Sequence, residues 1–193
     1  NITFGPDMVR AFRRLTDMPL DVHLMISEPA RYIDRFIEAR PETITFHIES
    51  DEDDEAMDGA IAAIREAGQG PGLAVSPDTP VCAVASRASA LDVIMIMTVH
   101  PGWGGQGVIA AAAPKIAEAR ALLARAGRGG QVHVDGGVSR ATAEVVGSYG
   151  IDVCIVGSAL FQRGRDASDE VSLVRERALQ GRQAFAAAAT GAS

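Results

Sequence analysis

Cysteine is scarce in this chain of 193 residues, with Cys82 and Cys154 as its two thiols. They stand far apart, one in an Ala/Val-rich segment and one inside "IDVCIVG", so their spacing suits neither a disulfide framework nor a paired thiolate metal site. Two buried thiols in a reducing cytoplasm is the expected state. Long apolar runs are lacking too: no stretch reaches the roughly 18 residues of a membrane span, and no basic, apolar, small-residue leader opens the chain. Positive charge is in deficit, with a formal net charge of −7, which argues against a general electrostatic hold on nucleic acid or an anionic membrane. Any anionic ligand must then be held by local groups. An initiator methionine is also absent. "NITFGPDMV" reads as the middle of a loop running into a helix near Pro6 and Asp7, which leads to the expectation that the N-terminal part of a longer protein precedes Asn1.

What is present is ordinary globular composition, 47% hydrophobic and 22% charged, and residues 1–193 are expected to form one domain. Strand-like and helix-like segments alternate along it. After an opening helix from Pro6 to Leu15 comes "PLDVHLMI", in which Val22, Leu24 and Ile26 alternate with Asp21, His23 and Met25. "SEPARYIDRFIEA" follows as a helix with Ser27 as its cap and Tyr32, Ile33, Phe36 and Ile37 as its stripe. The pattern recurs as "TITFHI" then "DEAMDGAIAAIREAG", "GLAVSP" then "PVCAVASR", "LDVIMIMTV" then "APKIAEARALLARAG", "QVHVDGGV" then "RATAEVVGSYG", and "IDVCIVG" then "SALFQRG". A final amphipathic helix is expected over Asp169 to Phe185, with an Ala-rich tail that frays. Strands each followed by a helix imply parallel pairing, in either a doubly wound sheet or a (β/α)8 barrel. His23, His47, His100, Asp135 and Gly157 all fall at strand C-terminal ends rather than at one switch point, which favours the barrel. Six such strands would leave the first two of eight missing.

Barrels of this class often bind phosphate with the loops after their last two strands and a helix N-terminus. "DGGV" and "GSALF" occupy those places, so Gly136, Gly137, Gly157 and Ser158 are candidate backbone donors to a dianion, aided by a helix expected to start at Ser158. "HPGWGGQG", following "LDVIMIMTV", would close over from the preceding strand. Asp135, a carboxylate at a strand's mouth between Val134 and two glycines, must be paired, metal-bound or catalytic. For an isolated His23 a hydrogen-bonded barrel-interior role is the simpler reading. His133 is read as a packing residue two positions deeper, and His47 as a polar barrel residue near the site. "ESDEDDEAMD" reads as a solvated acidic start to a helix.

"NITFGP", "LDVHLMI", "ITFHIE", "MTVHPGWGGQ", "VHVDGGV" and "VGSALF", in this order and spacing, closely resemble ribulose-phosphate 3-epimerase. The resemblance implies a (β/α)8 TIM barrel that interconverts D-ribulose 5-phosphate and D-xylulose 5-phosphate, in the pentose phosphate pathway, with one divalent metal cation such as zinc, iron, manganese or cobalt. It implies His23 as a metal ligand and Asp135 as a ligand that is also an acid/base carboxylate. His23, Gly102, Trp103, Gly104, Gly105, Gly136, Gly137, Gly157 and Ser158 would contact the phosphosugar, while Met25 and Met97 would line the reacting carbons. His100, Trp103 and Gly107 depart from the family's usual residues. The family's "HxDxMDG" strand, with two further ligands and the second acid/base Asp, would lie before Asn1, so residues 1–193 alone are expected to be nearly inactive.

Two rival classes remain at this point. A non-catalytic phosphosugar-binding barrel would keep the glycine loops but need neither His23 nor Asp135, and a decarboxylase or thiamine-phosphate synthase relative would need a strand-end lysine that is not seen. The expected partner is a small-molecule ketose phosphate, with no nucleic acid and no membrane, and a homo-oligomer is left open.

Overall fold

The computed structural model describes residues 4–100, 102 and 105–191. Its helices and strands alternate as α1 (Pro6–Leu15), β1 (Asp21–Leu24), α2 (Ile33–Ile37), β2 (Thr43–His47), α3 (Asp54–Glu66), β3 (Gly70–Val75), β4 (Val93–Met97), α4 (Pro114–Ala126), β5 (Gln131–Asp135), α5 (Ala143–Gly147), β6 (Val153–Ile155) and α6 (Ala167–Gly191). A 3-10 segment, Val81–Ala90, links β3 to β4. The six strands form one sheet in chain order, and every neighbouring pair is parallel.

The sheet is curled. His133 on β5 reaches Asp21 on β1 at 2.9 Å, although three strands separate them in the sheet. Six parallel strands wrapped in this way are part of a (β/α) barrel, in agreement with the expected architecture. Strand alternation divides the apolar residues into two cores. Leu24, Ile44, Phe46, Leu73, Ile94, Ile96, Val132 and Val134 pack outward with the helices, while Ala74, Val93, Met95, Met97 and Val99 form a smaller cluster on the concave side. This explains why "VIMIM" is buried along its whole length: both faces of β4 are covered.

The helices follow local chemistry with some departures from expectation. Asp53 caps α3, its carboxylate accepting the Ala56 N–H at 2.8 Å, so the acidic run does open a helix. Ser27 does not cap α2; the helix is a short one over Ile33–Ile37, preceded by turns, and its cap position is Tyr32. No helix starts at Ser158 either. Residues 158–161 form turns and the next helix begins at Ala167, so no helix dipole from that point is available to a ligand. Among the described residues α6 extends through the Ala-rich segment to Gly191. No helix is long and apolar enough to cross a membrane.

Candidate functional site

The concave face carries polar side chains at the positions that alternate with the outer core. Asp21 accepts from the Thr43 hydroxyl at 2.7 Å and bonds His133 Nδ1 through its other oxygen. The second ring nitrogen of His133 faces Gln131 Oε1 at 3.1 Å. Burial disfavours the Asp21 carboxylate, but the hydrogen bonds from His133 and Thr43 outweigh it and hold its pKa below the ordinary value. His133, only 3% exposed, is therefore engaged on both sides, in keeping with an interior role.

One layer nearer the strand C-termini, His23 and Asp135 come together. His23 Nδ1 lies 3.6 Å from an Asp135 carboxylate oxygen. On its other edge His23 Nε2 meets His47 Nε2 at 3.0 Å, and His47 Nδ1 meets Glu49 Oε2 at 3.1 Å. Glu49 is anchored in turn, because its Oε1 accepts the Ser76 N–H at 2.8 Å. Burial opposes ionisation of Glu49, yet hydrogen bonds from His47, Thr79 and the Ser76 amide prevail and bring its pKa down to about 2. The sequence put His47 near the site as a polar barrel residue but assigned it no partner, and it did not single out Glu49. The alternation of Thr43, Thr45 and His47 along β2 is the signal that puts His47 on the same face as His23.

Two clefts open at this end of the sheet and share Met25. The larger, about 490 Å³, is lined by Ser27, Glu28, Tyr32, His47, Glu49 and Asp51 among others. The smaller, about 220 Å³, brings together Met25, Met97, Gly102, Gly105, Asp135, Gly136, Gly137, Gly157 and Ser158. Nearly all the residues singled out for the phosphosugar thus converge on the smaller cleft, and His23 reaches it through Asp135. Trp103 and Gly104 lie outside the described residues. His100 and Gln106, from the "HPGWGGQG" segment expected to close over the site, also line it, as do Val99, Val138 and Ile155, which were not singled out.

The turn after β5 needs its glycines. Gly136 and Gly137 have φ of +118° and +65°, a region side chains rarely adopt. A Cβ on Gly137 would stand 2.7 Å from the Val108 backbone nitrogen. The turn is tied to the end of β4 by the buried Thr98 hydroxyl, which donates to the Gly136 carbonyl at 2.5 Å, and to α5 by Thr142, which donates to the Gly137 carbonyl at 2.9 Å. Gly157 differs, since a Cβ there would meet nothing within 4 Å. No lysine or arginine is among the described residues lining the smaller cleft, so an anion bound there would depend on backbone amides and on the side chains of His100, Gln106 and Ser158.

Among the described residues no group of three or more His, Cys, Asp or Glu side chains assembles a complete metal site. The His23–Asp135 pair nevertheless fits part of one. Its 3.6 Å separation is too long for a good hydrogen bond and close to the roughly 3.4 Å expected between nitrogen and oxygen donors on one tetrahedral ion. Asp135 and His23 are thus the residues able to hold a divalent cation here.

The ribulose-phosphate 3 epimerase family model matches residues 1–161. Ribulose-phosphate 3-epimerase of Bacillus subtilis (strain 168) is 38% identical over 176 residues, covering 91% of this chain and 79% of that protein. The Rhodobacter capsulatus enzyme is 37% identical over 171 residues, 89% of this chain and 72% of that protein. Among solved structures, 3-hexulose-6-phosphate synthase from Salmonella typhimurium superposes with a TM-score of 0.68 at 20% identity, over 91% of this chain and 81% of that one. A tryptophan synthase alpha-subunit variant from Pyrococcus furiosus gives 0.62 at 16% identity, over 92% and 72%. These structural likenesses speak to the barrel fold alone.

Proposed function

The chain belongs to the ribulose-phosphate 3-epimerase family, and from that premise we propose that it is an isomerase interconverting D-ribulose 5-phosphate and D-xylulose 5-phosphate in the pentose phosphate pathway. The observation that carries this reading is the position of Asp135, the one acidic side chain among the described residues of the smaller cleft, which Met25, Met97 and the glycine turns also line. Inverting C3 beside the C2 ketone requires a base that removes the C3 proton and an acid that returns one to the opposite face of a 2,3-enediolate. Asp135 serves one face of that exchange.

The other residues orient and protect. The backbone amides around Gly136, Gly137, Gly157 and Ser158 hold the phosphate, which fixes the distance from that group to C3. Met25 and Met97 pack the planar carbons without offering a proton of their own. His23 and Asp135 would hold one divalent cation, of which zinc, iron, manganese and cobalt are the candidates, and that cation supplies positive charge to stabilise the oxyanion that develops at C2 and C3. Asp21 and Glu49 are poor candidates for the second acid/base. The former is committed to Thr43 and His133 one layer away, the latter to His47 and Ser76.

His23 beside Asp135 favours catalysis over simple phosphosugar binding, because binding alone has no need of that pair. The test is conversion of ribulose 5-phosphate to xylulose 5-phosphate with added zinc or manganese, assayed in a form that carries an "HxDxMDG"-like strand ahead of Asn1, the form in which turnover is expected. Asp135→Asn should lower kcat by about 10²-fold or more while the phosphosugar still binds. Turnover unchanged by that substitution would remove Asp135 from the reaction.

A further inference from the structure

Three contacts run in series from β2 to β5. Glu49 Oε2 meets His47 Nδ1 at 3.1 Å, His47 Nε2 meets His23 Nε2 at 3.0 Å, and His23 Nδ1 faces Asp135 Oδ2 at 3.6 Å. Two neutral imidazoles bring only two ring protons to these three contacts. The nitrogen–nitrogen contact must hold one, since two lone pairs facing each other at 3.0 Å would repel. The carboxylate contact of His47 must hold the other, or a ring lone pair would press against an ionised Glu49 at hydrogen-bond range. No proton is then left for the third contact, which is the one too long for a good hydrogen bond.

We propose that His47 and Glu49 are positioning residues that fix His23 as its Nε2–H tautomer, so that the Nδ1 lone pair is held toward a divalent cation shared with Asp135. The inference rests on the cation-binding reading of His23 and Asp135 given above and adds residues that neither of those two specifies. The reverse tautomer chain would leave His47 Nδ1 unprotonated against Glu49, the shorter and therefore more repulsive of the two carboxylate contacts. Ring geometry agrees: the imidazole planes lie within 18° of parallel with centroids 5.0 Å apart, so the two Nε2 atoms meet edge to edge, where in-plane lone pairs and N–H bonds point. His47 is only 8% exposed, which limits exchange of its partners for water. Glu49 is held by the Ser76 amide and its depressed pKa keeps it an acceptor, so the direction of the chain is set from its outer end. Carboxylate–imidazole pairs behind metal-ligating histidines fix tautomers in this way generally.

The measurement is a long-range proton–nitrogen correlation on the metal-free 193-residue protein with nitrogen-15 histidine, about two pH units above the ordinary imidazole value. Wild-type protein should show His23 protonated at Nε2 alone and His47 at Nδ1 alone. Glu49→Ala should give averaged tautomer shifts for both rings and weaken zinc binding, read by chelator competition, by about 10- to 100-fold. Glu49→Gln has one acceptor oxygen where Glu49 uses two; with that oxygen on the Ser76 amide its NH2 donates to His47 Nδ1, so this near-isosteric variant should reverse the ring pattern, with His47 protonated at Nε2 and His23 at Nδ1, and weaken zinc binding as Glu49→Ala does. A wild-type His23 protonated at Nδ1, which needs no variant to fold, would overturn the proposal, as would unchanged ring shifts in folded Glu49→Ala. Wild-type protein that shows the expected ring pattern but binds no zinc would instead overturn the cation reading on which the inference stands.

Discussion

His133 Nδ1 and Asp21 Oδ2 meet at 2.9 Å across the concave face, tying β5 to β1 one layer beneath His23 and Asp135. The same two strands carry the upper pair, so this buried hydrogen bond sets how far apart the upper pair can stand. Asp21→Ala leaves a 3% exposed imidazole with a missing partner, a loss of about 1 to 3 kcal/mol. Urea denaturation should show that loss, and zinc affinity should fall with it because the spacing above is no longer fixed. A variant of wild-type stability would mean that the curl of the sheet is held by the outer core alone.

His23→Ala should lower bound metal and turnover together, since it removes one of the two donors brought into register by β1 and β5. Dialysis against a chelator should silence the wild-type enzyme in the same way, and added zinc or manganese should restore wild type but not the variant. Full metal occupancy in His23→Ala would take His23 out of the coordination shell.

The sheet was legible because its strands are apolar runs between glycine and proline signals, and because parallel pairing follows from β/α alternation without knowledge of any contact. Much of the site was legible for a related reason: strand-end residues in a barrel converge whatever their spacing in sequence, so Met97, Asp135, Gly136 and Gly157 could be grouped before their geometry was known. What failed was local. "SALFQRG" has helix-forming residues but only turns at 158–161, because nothing in so short a run compensates for the cost of helix nucleation. Ser27 looks like a cap, yet the chain makes turns first and starts α2 at Ile33. The link from Glu49 through His47 to His23 depends on side chains of adjacent strands meeting edge to edge, which alternation permits but does not specify.

Asp152 gives the fold an acid limit that does not involve the site. It accepts the Val132 N–H at 2.8 Å and pairs with Arg120 of α4 and Arg182 of α6, so one carboxylate joins the start of β5 to two helices. Burial raises its pKa, but the Val132 amide, the Arg120 hydrogen bond and the Arg120 and Arg182 charges outweigh that and hold it below the ordinary aspartate value. A pKa depressed by folding means that stability from this group is fully present above the unfolded value and is lost as pH falls through the folded one. Stability should therefore decline below about pH 4, and Asp152→Asn should flatten that part of the profile while costing stability at pH 7. Parallel profiles for the two proteins in urea titrations would show that Asp152 is not the group responsible.

Gly157 offers a clean test of where the phosphate sits. Unlike Gly136 and Gly137 it has no positive φ, and a Cβ built on it meets no atom within 4 Å, so a side chain there strains neither backbone nor packing. It lines the same cleft as Ser158 and the Gly136–Gly137 turn. Valine at this position would fill the space a phosphate must enter and cover the amides that hold it, with no lysine or arginine among the described lining residues to compensate. The expected outcome for Gly157→Val is a KM for ribulose 5-phosphate raised by about 10-fold or more, equivalent to about 1.4 kcal/mol of lost phosphate binding. Thermal stability and zinc content should stay near wild type, because no atom of His23 or Asp135 lies within 4 Å of the added Cβ. Unchanged kinetics would put the phosphate elsewhere, with the larger cleft beside Ser27 and Ser76 as the next place to look.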